Sequence, residues 1–63
     1  MEFEYYNNYL KIANYRQLKL LESDKIIVDN LEIIGSDFFI MNMNKEEILI
    51  KGLISNIKIG WDI

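Results

Sequence analysis

Leu31-Glu32-Ile33-Ile34-Gly35 recurs seventeen residues later as Ile48-Leu49-Ile50-Lys51-Gly52, and this echo constrains the fold more than any other feature of the chain. Each copy is a short run with apolar residues at alternate positions, closed by glycine. Period-two alternation marks a strand with one face buried, and a closing glycine marks a bend or a close approach, or a place where φ turns positive without penalty. Leu10-Lys11-Ile12-Ala13-Asn14 is a third copy, with Asn14 where the later copies carry glycine; asparagine is the other residue that tolerates the left-handed region. Asn14, Gly35 and Gly52 are therefore the expected structural turns. The pattern speaks of architecture and names no chemistry.

The remainder of the chain fits short strands around these copies. Phe3, Tyr5, Tyr6 and Tyr9 have the propensity of an edge strand, which the Asn7-Asn8 turn signal cuts short. Leu18 and Leu20 alternate with polar residues up to the break at Glu22-Ser23-Asp24, and Ile26 and Val28 precede the turn Asp29-Asn30. A helix through Tyr9 to Leu21 is the rival reading of that stretch, since Tyr9, Ile12, Ala13, Arg16 and Leu20 fall partly on one face. Ser36-Asp37 reads as a turn, and Phe38-Phe39-Ile40-Met41 as a strand covered on both faces. Asn42 to Glu46 is a polar loop of hairpin length, Glu47 to Lys51 a strand bent at Gly52, and Ile54, Ile57, Ile59 and Trp61 supply the closing strand.

The expected fold is all-β: residues 1–63 as one small domain of about six or seven short strands. Two architectures satisfy the spacing. An antiparallel meander or roll uses hairpins at Glu22-Ser23-Asp24 and Asn42 to Lys45; a short three-rung β-solenoid stacks the units that begin at Leu10, Leu31 and Ile48. The antiparallel sheet is favoured, because three solenoid rungs leave both ends open.

Sixty-three residues bury only about 60% of the surface that the unfolded chain exposes, so the core is thin. Half of the residues are apolar, which argues for a folded chain. No apolar run exceeds four residues, far short of the roughly 20 that span a bilayer. Ten acidic and seven basic residues give a net charge of -3, with the basic ones scattered singly; nothing forms a stripe that would neutralise phosphates, so no nucleic-acid partner is expected. The start, with Glu2 and Glu4 around Phe3, lacks a secretory pattern, and the chain has no cysteine; a cytoplasmic, reducing location is the expectation.

The absence of His and Cys removes imidazole bases, thiolate nucleophiles and the usual zinc ligands. Glu46 and Glu47 are adjacent, so on a strand they point to opposite faces and cannot flank one bond; solvated acids at a hairpin are the plainer reading. Glu22, Asp24 and Asp29 lack the spacing and glycine of a calcium loop. Tyr5, Tyr6, Tyr9 and Tyr15 offer stacking surfaces without interleaved basic residues, which favours packing over base recognition. Gly35, Gly52 and Gly60 are isolated and form no phosphate loop. No catalytic residue, cofactor site or metal site is expected.

From Tyr9 to Ile59 the chain resembles the YabP/YqfC family of sporulation proteins, the YqfC side above all. The resemblance runs through Leu10, Ile12 and Ala13-Asn14, then Ser23-Asp24-Lys25, Gly35-Ser36-Asp37-Phe38-Phe39-Ile40, Glu46-Glu47-Ile48-Leu49-Ile50-Lys51-Gly52, and Ile54, Ile57 and Trp61. The Glu46 to Gly52 segment is its most specific part. Ser36-Asp37-Phe38 departs from the acidic-Asn-Leu usual in the family, and the segment from Ile26 to Asn30 is shorter. The resemblance implies expression in the mother cell during sporulation, a supporting role in spore formation or envelope assembly, and no catalytic residues.

Three function classes follow: a non-enzymatic sporulation module that assembles with itself or with a membrane-bound partner, a small acidic inhibitor or decoy from a mobile element, and, least favoured, an enzyme. Sporulation or phage genes beside it separate the first two. Without disulfides, metal or Pro at its edges, a chain of this size is expected to be a homo-oligomer. The last strand is the expected edge, with Ile54, Ile57, Ile59 and Trp61 as interface residues.

Overall fold

The computed structural model describes residues 1–60. Six strands, β1 (Glu2–Tyr6), β2 (Tyr9–Ala13), β3 (Leu18–Leu21), β4 (Lys25–Val28), β5 (Leu31–Met43) and β6 (Glu47–Ile59), form one antiparallel sheet in the order β1-β2-β6-β5-β4-β3. There is no helix among the described residues, so Tyr9 to Leu21 is two strands and a link. Asn7 and Asn8 both take positive φ, 53° and 64°, the geometry of a two-residue hairpin turn whose twist matches the strands it joins. The strands are antiparallel throughout, as the roll requires and the solenoid does not.

The link between β2 and β3 forces the sheet to fold over. Laid flat, β2 and β3 would lie about 19 Å apart, at roughly 4.8 Å per neighbouring strand. From Ala13 to Leu18 the chain reaches at most about 18 Å, and it turns at Asn14, where φ is 56°. The sheet therefore closes into two leaves. One holds β1, β2, the first part of β6 and the last part of β5; the other holds β3, β4, the first part of β5 and the last part of β6. Leu10, Ile12, Ile48 and Ile50 from the first leaf and Ile26, Val28 and Ile33 from the second make one buried cluster with Phe38. Tyr15, in the link, packs against it.

The echo in the sequence is the centre of each leaf. β2 meets β6 with Leu10 opposite Ile50 and Ile12 opposite Ile48. β4 meets β5 with Ile26 opposite Ile33 and Val28 opposite Leu31. On the other side of these central strands Ile40 faces Ile50 and Met43 faces Ile48, while Ile57 faces Ile33 and Ile59 faces Leu31. Ile50 thus corresponds to Ile33, Ile48 to Leu31, and Gly52 to Gly35. The β1-β2 hairpin flanks one copy as the β3-β4 hairpin flanks the other.

Gly35 and Gly52 do not end strands. Each lies inside a strand of thirteen residues, where that strand passes from one leaf to the other. The turn expected at Ser36-Asp37 is a bulge within β5: the register with β6 slips between Ile34 and Gly35, between Ser36 and Phe39, and between Ile40 and Asn42. Asp37 takes up the extra residue with φ of 57°. No described glycine has positive φ, so Gly35 and Gly52 are needed for close approach. A side chain on Gly35 would run into the Leu53 carbonyl, and one on Gly52 into the Phe38 ring. Asn14 does hold the left-handed conformation expected of it, and its N–H donates to the Glu46 carbonyl at 3.0 Å.

Candidate functional site

The crossing of β5 and β6 between leaves leaves four strand edges. β1 and β3 end the sheet. β5 is paired by β4 only from Leu31 to Ile34, so Phe39 to Met43 has β6 on one side and no strand on the other. β6 is paired by β2 only from Glu47 to Lys51, so Leu53 to Ile59 has β5 on one side alone. Such an edge presents a row of backbone donors and acceptors to another strand. Near Gly52 the Tyr5 hydroxyl closes part of the β6 edge: it donates to the Gly52 carbonyl at 3.1 Å and accepts from the Ile54 N–H at 3.3 Å.

Exposed large apolar side chains lie on the two half-paired stretches, and Met1, Tyr5, Tyr6 and Tyr9 add others at the β1-β2 hairpin. Phe39 (60% exposed), Ile40, Met41 and Met43 lie on β5, and Leu53, Ile57 and Ile59 (61%) on β6. Ile40 and Ile57 share a face with the buried Ile50 and Ile33 opposite them. Each leaf's apolar face therefore runs on past the cover that the other leaf provides. Phe38-Phe39-Ile40-Met41, expected to be covered on both faces, is covered only at Phe38, and β4 stops short of it, so its edge is free as well.

Of the residues expected at an interface, Ile54 is half-buried against the core, Ile57 and Ile59 are exposed on the free part of β6, and Trp61 lies outside the described residues. β6 as a whole is not an outer strand, since β2 and β5 flank it; only its second half is an edge. The β5 stretch escaped the sequence reading because a continuous apolar run is the signal of a buried strand, and its one available warning was its place beside a register-breaking bulge.

A shallow groove of about 390 Å³ adjoins the β5 edge, lined by Leu21, Glu22, Ser23, Phe38, Phe39 and Ile40. Among the described residues there is no buried polar or charged side chain and no group of three or more acidic residues placed to hold a metal ion. Glu46 lies in the hairpin turn and Glu47 on β6, 3.8 Å from the Lys11 ammonium. Tyr6 is exposed, and Tyr9 carries the Lys51 ammonium 5.8 Å from its ring centre.

Asp29 is the most constrained charged group. Its φ is 52°, and its carboxylate accepts from the N–H groups of Gln17 (2.7 Å) and Arg16 (3.0 Å) while its own N–H donates to the Gln17 carbonyl at 2.8 Å. The Gln17 hydrogen bond above all, with that from Arg16, holds this carboxyl below its ordinary pKa. These bonds tie the β2-β3 link to the β4-β5 turn. They are a structural clasp, since both donors are backbone.

No helix among the described residues is long and apolar enough to cross a membrane. No protein-family model, curated protein or solved structure matches the chain.

Proposed function

We propose that the chain is a non-enzymatic interaction module that joins a second copy of itself through the free half of β6. One observation carries this reading: Leu53 to Ile59 is paired along one side only and exposes Leu53, Ile57 and Ile59. Adding a strand there would satisfy backbone groups and remove apolar surface from water together, at about 25 cal/mol per Å² for the apolar part. A thin core without disulfides gains from such cover.

The resemblance of the Glu46 to Gly52 segment to the YabP/YqfC family supplies the setting we propose, support of spore formation or envelope assembly in the mother cell, where a membrane-bound protein is a further partner. Deleting the gene in a spore-forming host should leave vegetative growth intact and lower spore yield. Growth loss in rich medium with normal spores would reject that setting.

Light scattering at micromolar concentration tests the module itself. The expected mass exceeds the 7.5 kDa of one chain, and Ile57→Asp or Ile59→Asp lowers it with the far-ultraviolet circular dichroism unchanged. A wild-type chain that remains at one copy, unaltered by those substitutions, overturns the reading.

A further inference from the structure

We propose that Tyr5 is a guard on the β6 edge: its hydroxyl occupies backbone groups of Gly52 and Ile54 that an added strand would take, and so competes with docking there. This rests on the reading that copies join through that edge, and supplies a regulation of it.

The direction of the backbone along β6 shows what the guard covers. In an antiparallel ladder the N–H and C=O of one residue point to one side and those of the next residue to the other. The Gly60 N–H donates to the Asn30 carbonyl, on the β5 side, and the Gly52 N–H donates to the Asn8 carbonyl, on the opposite side. Counting back from Gly60, the groups of Ile59 and Ile57 face away from β5. Counting forward from Gly52, those of Ile54 do. Ser55 is the extra residue that takes up the change of phase, where the register with β5 slips between Ile34 and Gly35. Past β2 the open side of β6 therefore presents Gly52, Ile54, Ile57 and Ile59. Asn8 takes the Gly52 N–H, and Tyr5 takes the next two groups, donating to the Gly52 carbonyl at 3.1 Å and accepting from the Ile54 N–H at 3.3 Å. Where the backbone of the β1-β2 hairpin stops, a side chain continues it. The cover ends short of the exposed Ile57 and Ile59.

A tyrosine hydroxyl suits this place because it is donor and acceptor in one group. In a parallel ladder one residue donates to a carbonyl of the neighbouring strand and accepts from the N–H two residues further on. The Tyr5 hydroxyl makes that pair of contacts across Leu53, so an incoming strand finds both groups taken. The hold is light. Hydroxyl bonds are usually about 2.7–2.8 Å long, and both of these are longer. The Asn8 side-chain oxygen, at 3.3 Å, competes for the same proton, and Tyr5 is 39% exposed. A strand of backbone can displace such a guard.

The other edges are blunted differently. Natural sheets protect free edges with charge and short length. β1 carries Glu2 and Glu4, and β3 has four residues including Lys19. From Leu53 to Ile59 the one charge is Lys58. There a hydrogen-bonding side chain from another strand does the blunting, and unlike a charge on the edge itself it can be withdrawn.

Sedimentation velocity over a dilution series tests the proposal. Tyr5→Phe keeps the ring and loses the hydroxyl, and Tyr5→Leu clears the end of the ring as well. Each should lower the dissociation constant for self-association about three- to ten-fold, the order of one net hydrogen bond. The urea midpoint of each should fall, since two bonds within the chain are lost. Asn14→Val, destabilised at the far end of the β1-β2 hairpin, controls for loss of stability and should associate as wild type does. Adding Ile59→Asp to Tyr5→Phe should return it to one copy, with circular dichroism showing that each variant is folded. Association of both Tyr5 variants no tighter than that of wild type, or matched by Asn14→Val, overturns the inference; the β6 reading then stands if Ile59→Asp still lowers the wild-type mass. Tighter association that Ile59→Asp does not reverse overturns both. A wild type that stays at one copy while Tyr5→Phe pairs upholds the guard and removes only the pairing of the unaltered chain. One copy throughout, for wild type and both Tyr5 variants, overturns guard and docking edge alike.

Discussion

The Phe38 ring occupies the space that a side chain on Gly52 would need: a methyl group there would meet Phe38 Cδ1 at 2.6 Å, with the Asp37 carbonyl oxygen at 3.0 Å. Phe38 is buried, and a Cβ on Gly35 would likewise press on its ring. Both glycines thus make room for one aromatic side chain at the fold between leaves. Gly52→Ala should destabilise by about 1–3 kcal/mol, the usual cost of overpacking. Gly35→Ala should cost more, because the Leu53 carbonyl it meets is backbone and cannot swing aside. Val at either site should be worse still. Urea midpoints measure all of these. Equal midpoints for Gly52→Val and wild type would remove the close-approach role.

Asn14 gives a sharper contrast. Its left-handed φ of 56° costs a branched L residue about 1–2 kcal/mol, and its side-chain amide donates to the Glu2 carboxylate at 2.7 Å. Asn14→Gly should lie near wild type in thermal unfolding, and Asn14→Val well below. The opposite order would refute the conformational role.

Which parts of this fold the sequence discloses follows from how local each signal is. The seventeen-residue echo, the Asn7-Asn8 hairpin and the left-handed Asn14 depend on a few neighbouring residues, and each has a direct structural counterpart. Ser36-Asp37 misleads because turn residues also build bulges, and only the ladder to β6 distinguishes the two. The edge character of Ile57 and Ile59 is legible, since they belong to an apolar strand with no proline to blunt its edge. That of Phe39 to Met43 is not, because it depends on where β4 stops and on the β1-β2 hairpin returning to pair with β6, pairings remote in sequence.

Acid should loosen the clasp at Asp29. Its folded pKa lies below the ordinary value of a free carboxylate, so the unfolded chain takes up its proton first as pH falls. The contribution to stability is complete above the unfolded value and is lost as pH drops through the folded one. Asp29→Asn keeps a residue that tolerates positive φ and removes the charge. Wild type should be more stable than this variant near neutral pH, with the gap closing as acid protonates the folded carboxylate. A gap that holds constant across the titration would show that the carboxylate charge contributes nothing.

The guarding of the outer strands can be tested by removing it. Glu4 is exposed on β1 opposite Lys11, and Lys19 is exposed on β3. Replacing either with Val raises strand propensity, a change worth less than about 1 kcal/mol at such positions, so unfolding temperatures should hold or rise slightly. The charge that keeps another strand away would be gone, however, and the chain would gain a further open edge. Glu4→Val and Lys19→Val should therefore increase the fraction that sediments after incubation well below the unfolding temperature, while Ile59→Asp reduces it. Variants at these three edges with the same sedimenting fraction as wild type would show that edge charge does not govern association in this protein.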